Sequence, residues 1–376
     1  MTDVQHQVSR TWQQYTIMHL NRRVASIRND GTCTIYAASF MPYNLYLEQT
    51  KEMDARVNNL NNFYYWCASR VLTLDRKYAK EILNSIGAKQ ATTDKERAAI
   101  SLAYHCVTLT DVYWVKGYRE RVSYDEINLF DHSLSDAFVD VSLRGKALTA
   151  QNAELIAKSD TAGDVATQGA APKAWVRRNG TFYLLKDGDE KEVDAELLAS
   201  RIARCFDVDQ VRYEPFEYDG QKVSSSQLMT SKDFSIVPME HVEIYAANHG
   251  TDLYALIRRY DFRGYCMMNI IDYLVGNTDR HWGNWGFLDN NDTNKLEKLY
   301  PLMDFNKSFL AYDTLDGARC QTCSRKLSQR EAAIEAVHAV GLNQIAEIKP
   351  EWFEDAAQWQ MFCNRLSLVM DACKGD

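Results

Sequence analysis

Residues 262–305 constrain this chain more than any other stretch, because three patterns follow one another there without a gap. FRGYCMMNIIDYLVGN (262–277) is mostly apolar, with Tyr265, Met268, Ile271 and Val275 along one side, and predicts a buried helix. The polar string NTDRHWGN comes next. WGFL and KLYPLM, joined by the turn-rich DNNDTN, then predict a hairpin that ends at Asp304-Phe305. A chain with this stretch folds a polar loop against a hydrophobic floor.

That loop has the residues phosphoryl transfer needs. The protein must align an acceptor, hold Mg²⁺ on phosphates and neutralise charge, with little covalent work of its own. Asp279 and Asn284 are separated by four residues, and Asp304 follows the hairpin, ahead of Phe305. This is the order of a catalytic loop and a metal loop in kinases. Asp279 is the expected base, with Asn284 and Asp304 as hard oxygen ligands to Mg²⁺. Each alone suits a turn or cap better; together, behind a buried helix, they favour function. His281 is expected either to take part in catalysis or to brace the loop.

An ATP clamp is sought upstream. KAWVRR and TFYLLK around Asn179-Gly180 predict a hairpin, and a helical pattern runs from about Val193 to Cys205. Lys186 ends the second strand, and Glu196 lies ten residues on in the helix. Alone they read as surface charges; with the catalytic loop present they are expected to pair, Glu196 holding Lys186 where it reaches the α- and β-phosphates. GDVATQGAAPKAWV (163–176) offers small residues before the hairpin, with Thr167, Gly169 and Lys173 as candidate phosphate contacts. An interdomain loop explains the same composition equally well.

The rest of the chain supports a folded, soluble protein. Hydrophobic residues make up 46% and the formal charge is −8, a balance against bulk nucleic-acid or anionic-membrane binding. Nine scattered cysteines suggest reduced thiols and a cytoplasmic setting, with the pair Cys320 and Cys323 read as incidental thiols. No signal peptide or membrane span is expected. The Ala- and Thr-rich stretch 145–172 marks a seam. Before it, TCTIYA (32–37) suggests a strand. Thr93 and Glu96 form a capping box for a helix carrying Ile100, Ala103 and Val107, and NNFYYWCASRVL (61–72) reads as core rather than a base-stacking surface. Helices near 329–341 and 353–372 complete an α+β chain.

In this order, ATQGAAPKAWV, FYLLK, AELLASRIA with Glu196, NTDRHWGN and PLMDFNKSF resemble the HipA-like serine/threonine kinases, bacterial relatives of toxin–antitoxin modules. The likeness covers roughly 160–310, and DVYWVKGYRERVSYDEINLFDHSLSDAFVD is similar to the N-terminal region of some relatives. It implies a two-lobed kinase fold with a small β-containing N-lobe and a mainly helical C-lobe. The expected division is 1–144, 145–235 for nucleotide and 236–376 for catalysis. ATP, Mg²⁺, a protein hydroxyl acceptor and an antitoxin-like regulator follow from the same resemblance. So do a hinge at MTSKDF, with Thr230, Ser231 and Lys232 near adenine, and autophosphorylation at Ser159, Thr161 or Thr167. The metal loop departs from the family pattern in reading Asp304-Phe305-Asn306.

Other readings remain open: a phosphoinositide or small-molecule kinase, a nucleotide-binding pseudokinase or scaffold, and, last, a hydrolase using a metal on Asp279, His281 and Asp304.

Overall fold

Asn179 and Gly180 adopt φ of 51° and 80°, and Asp219 and Gly220 adopt 54° and 71°. These left-handed pairs close two tight hairpins, matching the twist of the strands they join. A computed structural model of the chain describes residues 14–71, 93–132 and 172–374, with Ala79 and Ile82 between the first two segments. Thr167, Gly169, Ser159 and Thr161 lie outside the described residues.

The N-terminal unit holds β1 (Gln14–His19), β2 (Arg22–Arg28), β3 (Cys33–Ile35), α1 (Met53–Ala68), α2 (Asp94–Ala103), β4 (Tyr113–Gly117) and the one-turn α3 (Tyr124–Ile127). Its strands form an antiparallel sheet in the order β3-β2-β1-β4. Phe63 and Trp66 of α1 and Leu102 of α2 pack onto Ile17, Val24 and Val115. Thr93 and Glu96 make the expected capping box. The expected face of Ile100, Ala103 and Val107 does not form, because the helix stops at Ala103, which is exposed. His105 and Cys106, at φ of 55° and 56°, turn the chain there towards β4.

The second sheet contains β5 (Lys173–Arg178) and β6 (Thr181–Lys186), then, after α4 (Glu190–Ala203), β7 (Tyr213–Tyr218) and β8 (Gln221–Gln227). The order is β5-β6-β8-β7, all antiparallel. α4 opens earlier than the apolar pattern predicted, because the Asp189 side chain caps it by accepting Glu192 N–H at 2.8 Å.

The rest is mainly helical: β9 (Phe234–Pro238), α5 (Met239–His249), α6 (Leu253–Val275), β10 (Gly286–Asn290), β11 (Lys295–Leu299), α7 (Gln329–Val340) and α8 (Ala356–Ala372). The predicted buried helix is the second half of α6, where every residue from Tyr265 to Val275 is buried. Asp261 (φ −162°, ψ 73°) breaks the helix, and its carboxylate accepts Gly264 N–H at 2.7 Å and Leu299 N–H at 3.1 Å. β9 pairs with β10 beside β11, and a Cβ on Gly286 would collide with Val237 O. β11 ends at Leu299, short of the predicted strand, since Pro301 has no N–H to extend the ladder. Leu302 N–H instead donates to Asp209 O at 2.9 Å.

The N-terminal unit is fastened to both of its neighbours. Met18 and Trp114 share a core with Trp175 and Phe182 of the second sheet. Ile236 N–H donates to Thr110 O at 3.0 Å, and Tyr113 OH donates to Asn294 Oδ1 at 2.7 Å. Among the described residues no helix is long and apolar enough to cross a membrane.

Candidate active site

The loop after α6 is built on a buried ion pair. Arg280, 2% exposed, grips Asp272 one turn from the end of α6, with Nε–Oδ2 at 2.8 Å and Nη2–Oδ1 at 2.9 Å. Burial opposes the guanidinium charge, but Asp272 outweighs it and raises the pKa further. Arg280 Nη1 also donates to Asn284 O at 3.1 Å and to Met303 O, so one side chain ties the catalytic loop to the metal loop. Asn277 adds a second tie. Its Nδ2 donates to Asp272 Oδ1 at 3.1 Å and to Asp304 O at 3.4 Å, and its Oδ1 accepts Asp279 N–H at 3.1 Å.

This floor brings Asp279, Asn284 and Asp304 into one network. Asn284 Nδ2 donates to Asp279 O at 2.6 Å. Its Oδ1 is buried with no hydrogen-bond partner. An amide oxygen left in that state costs on the order of 1–3 kcal/mol, and a hard cation would satisfy it. The donor set therefore fits Mg²⁺: one carboxylate and one neutral oxygen. Among the described residues no group of three or more His, Cys, Asp or Glu is placed to hold a metal. His281 is exposed, and its Nδ1 accepts Gly283 N–H at 3.0 Å, bracing the loop.

Asp304 sits at φ 60°, in the left-handed region, with its N–H donating to Tyr213 OH at 3.1 Å. Its carboxylate pairs with Lys186, which also donates to Glu196 Oε1 at 3.0 Å. Glu196, 1% exposed, is held in turn by Ser224 OH at 2.5 Å. The predicted Lys186–Glu196 pair thus exists, and it reaches Asp304. Burial works against the Lys186 charge, but Asp304 and Glu196 outweigh it and keep the ammonium protonated. Burial likewise opposes the Asp304 carboxylate, yet Lys186 and then Lys173 hold its pKa well below the ordinary range. Lys173 faces Lys186 across the β5–β6 ladder.

The hinge candidates stand apart, with their side chains engaged elsewhere. Thr230 OH donates to Leu109 O, Ser231 Oγ accepts Asp233 and Phe234 N–H groups at 3.0 and 3.2 Å, and Lys232 pairs with Asp131 at 2.5 Å. Any adenine contact there falls to the backbone. Arg280, Asp272, Asn277, Ser224 and Tyr213 were not singled out from sequence. The one signal was the Asp219-Gly220 turn dipeptide of the hairpin that carries Ser224.

No protein-family model matches the chain, and no curated protein matches it either. Solved structures do. HipA of Shewanella oneidensis MR-1, described in complex with HipB and its operator DNA, is 11% identical and covers 96% of each chain at a TM-score of 0.52. The chain has a HipA-like kinase fold. The two-lobed, kinase-like α+β architecture expected from the sequence is borne out. CtkA, a Helicobacter pylori proinflammatory kinase, is 15% identical, with a TM-score of 0.44 over 55% of this chain and 91% of its own.

Proposed function

We propose that this chain is an ATP- and Mg²⁺-dependent phosphotransferase that acts on a serine or threonine hydroxyl of another protein. The carrying observation is the buried, unpartnered Oδ1 of Asn284, next to Asp279 and tied through Arg280 and Asn277 to Asp304. Asn284 and Asp304 would hold Mg²⁺, which neutralises phosphate charge when bound. Lys186, fixed by Glu196, would hold the α- and β-phosphates. Asp279 orients the acceptor hydroxyl and takes its proton as the oxygen bonds to the γ-phosphorus and the β–γ bridge breaks. Arg280 touches neither reactant and works as a positioning residue.

The test is transfer of label from γ-labelled ATP with Mg²⁺ to generic protein and phosphoinositide acceptors, alongside Asp279→Ala and Asp304→Ala. Label on protein that disappears in both variants supports the reading. Label on lipid moves the acceptor class, and nucleotide binding without transfer overturns the enzyme reading in favour of a scaffold. A HipB-like regulator is the partner class to seek, because the HipA neighbour is described in such a complex.

A further inference from the structure

Cys320 and Cys323 flank a run of bends, and both pack with Tyr254, Leu327 and Ala332 in one small apolar cluster. Neither is in a disulfide. Hydrogen bonds tie both sulfurs to α6 and to the turn. Tyr254 OH donates to Cys323 Sγ at 2.9 Å, and Arg325 N–H does so at 3.4 Å. Cys320 Sγ lies 3.3 Å from Thr322 Oγ1 and donates to Asn269 Oδ1 at 3.7 Å.

The first of the two residues between them leaves the cluster. Gln321 Nε2 donates to Thr278 O at 2.7 Å, and Gln321 O accepts the Trp282 indole N–H at 3.0 Å. The turn is thus anchored at both ends on α6 and gripped in its middle by the loop that carries Asp279 and Asn284.

We infer that Cys320 and Cys323 form a hydroperoxide-sensitive dithiol whose closure to a disulfide pulls Gln321 off Thr278 and Trp282 and disorders the catalytic loop. The consequence for activity rests on the kinase reading above; the chemistry and the loop response do not. Closure to a disulfide with sulfurs about 2.05 Å apart removes the Cys320 S–H that donates to Asn269, competes with the Tyr254 contact of Cys323 and draws on the turn between them. Burial opposes ionisation of Cys323, but the donors from Tyr254 and Arg325 outweigh it and lower its pKa, whereas burial raises that of Cys320. Cys323 is therefore the attacking thiolate. It takes one oxygen of the hydroperoxide as the O–O bond breaks, giving a sulfenic acid and releasing the other oxygen as water or alcohol. Cys320 then displaces that hydroxyl as water. Two thiols and one hydroperoxide become one disulfide, one water and one water or alcohol. The pair Cys67 and Cys106 is 0% and 1% exposed, against 9% for Cys323 and 5% for Cys320; against the pull of burial, hydrogen bonds lower the Cys106 pKa, but with no access for a hydroperoxide the pair is expected to stay reduced.

The full chain, reduced and then exposed to equimolar hydrogen peroxide, is read by intact mass, non-reducing peptide mapping and amide hydrogen exchange. The expected result is a loss of two mass units, a 320–323 crosslink absent in Cys320→Ser and Cys323→Ser, and exchange over 277–284 faster by about five- to tenfold, the loss of one or two hydrogen bonds. Reductant reverses all three. Gln321→Ala keeps the crosslink but, with only the backbone tie to Trp282 left, shows a smaller exchange response. An uncrosslinked 320–323 pair under peroxide that oxidises exposed Cys373, or a crosslink that leaves exchange over 277–284 unchanged, overturns the inference. Crosslink and exchange response in a protein whose reduced form transfers no phosphate support the dithiol and sink the kinase reading alone.

Discussion

Asn284 divides its amide between two tasks: Nδ2 donates to the backbone oxygen of Asp279 at 2.6 Å, while Oδ1 is buried with no protein partner. The first contact sets the loop, and the second leaves an oxygen that only something from outside the chain satisfies. Asn284→Ala loses both. It is expected to raise the Mg²⁺ concentration needed for half-maximal transfer and to lower kcat by on the order of 10³, while costing about 1 kcal/mol of stability. Magnesium titration of the rate, beside a urea melt, checks this; a variant with normal magnesium dependence removes Asn284 from the metal site.

Asp279→Asn keeps size and backbone contacts but cannot accept the acceptor proton. Its kcat should fall by roughly 10²–10⁴, with nucleotide affinity nearly unchanged. Steady-state rates with calorimetric nucleotide binding make the separation; an affinity loss as large as the rate loss assigns Asp279 to binding instead.

The Arg280–Asp272 pair is buried on both sides. Arg280→Met strands a carboxylate and should cost about 3–5 kcal/mol. Adding Asp272→Leu removes that stranded charge, so the double variant should lose clearly less than the sum of the two single changes. Denaturant melts of all four proteins close the cycle, and simple additivity would show that the pair is not coupled.

Asp289 of β10 borders a cavity of about 20 Å³ along with Asp111, Tyr113 and His241, and its Oδ1 has no partner. Burial, chiefly, pushes its pKa from 3.8 to about 7, against a hydrogen bond from Tyr43 and with repulsion from Asp111 and Glu297. The folded value lies above the unfolded one, so the contribution is intact below about pH 4, declines as pH rises to about 7, and is flat beyond. Asp289→Asn should therefore match the parent near pH 4 and exceed its stability near pH 8, by up to about 4 kcal/mol. Paired melts across that range test it; a constant gap between the two proteins refutes the titration.

The local signals read well from sequence, and the distant ones did not. Asn179-Gly180 has a turn chemistry that needs no tertiary context, so β5 and β6 appear where expected. Lys186 and Glu196 are one strand end and one helix turn apart, close enough to anticipate. Arg280 lay in plain view between Asp279 and Asn284, yet nothing in a loop arginine announces burial. Its partner is fixed only once α6 ends at Gly276 and the chain doubles back. Ser224 supports Glu196 from β8, in a hairpin whose Asp219-Gly220 turn is legible in the sequence, though the contact itself is not. Thr230 and Lys232 were expected to meet adenine through their backbone, and their side chains are engaged with Leu109 and Asp131.

The N-terminal unit shares a core with β5 and β6 on one side and hydrogen-bonds to β9 and Asn294 on the other. It thus acts as a splint laid across both jaws of the clamp. A wide swing of one jaw away from the other would have to break one of those attachments, so under the proposed function admitting and releasing a nucleotide would fall to local bending around Lys186 and Asp279. Prying the splint loose, rather than altering Lys186 or Asp279, is the change that would let the jaws gape.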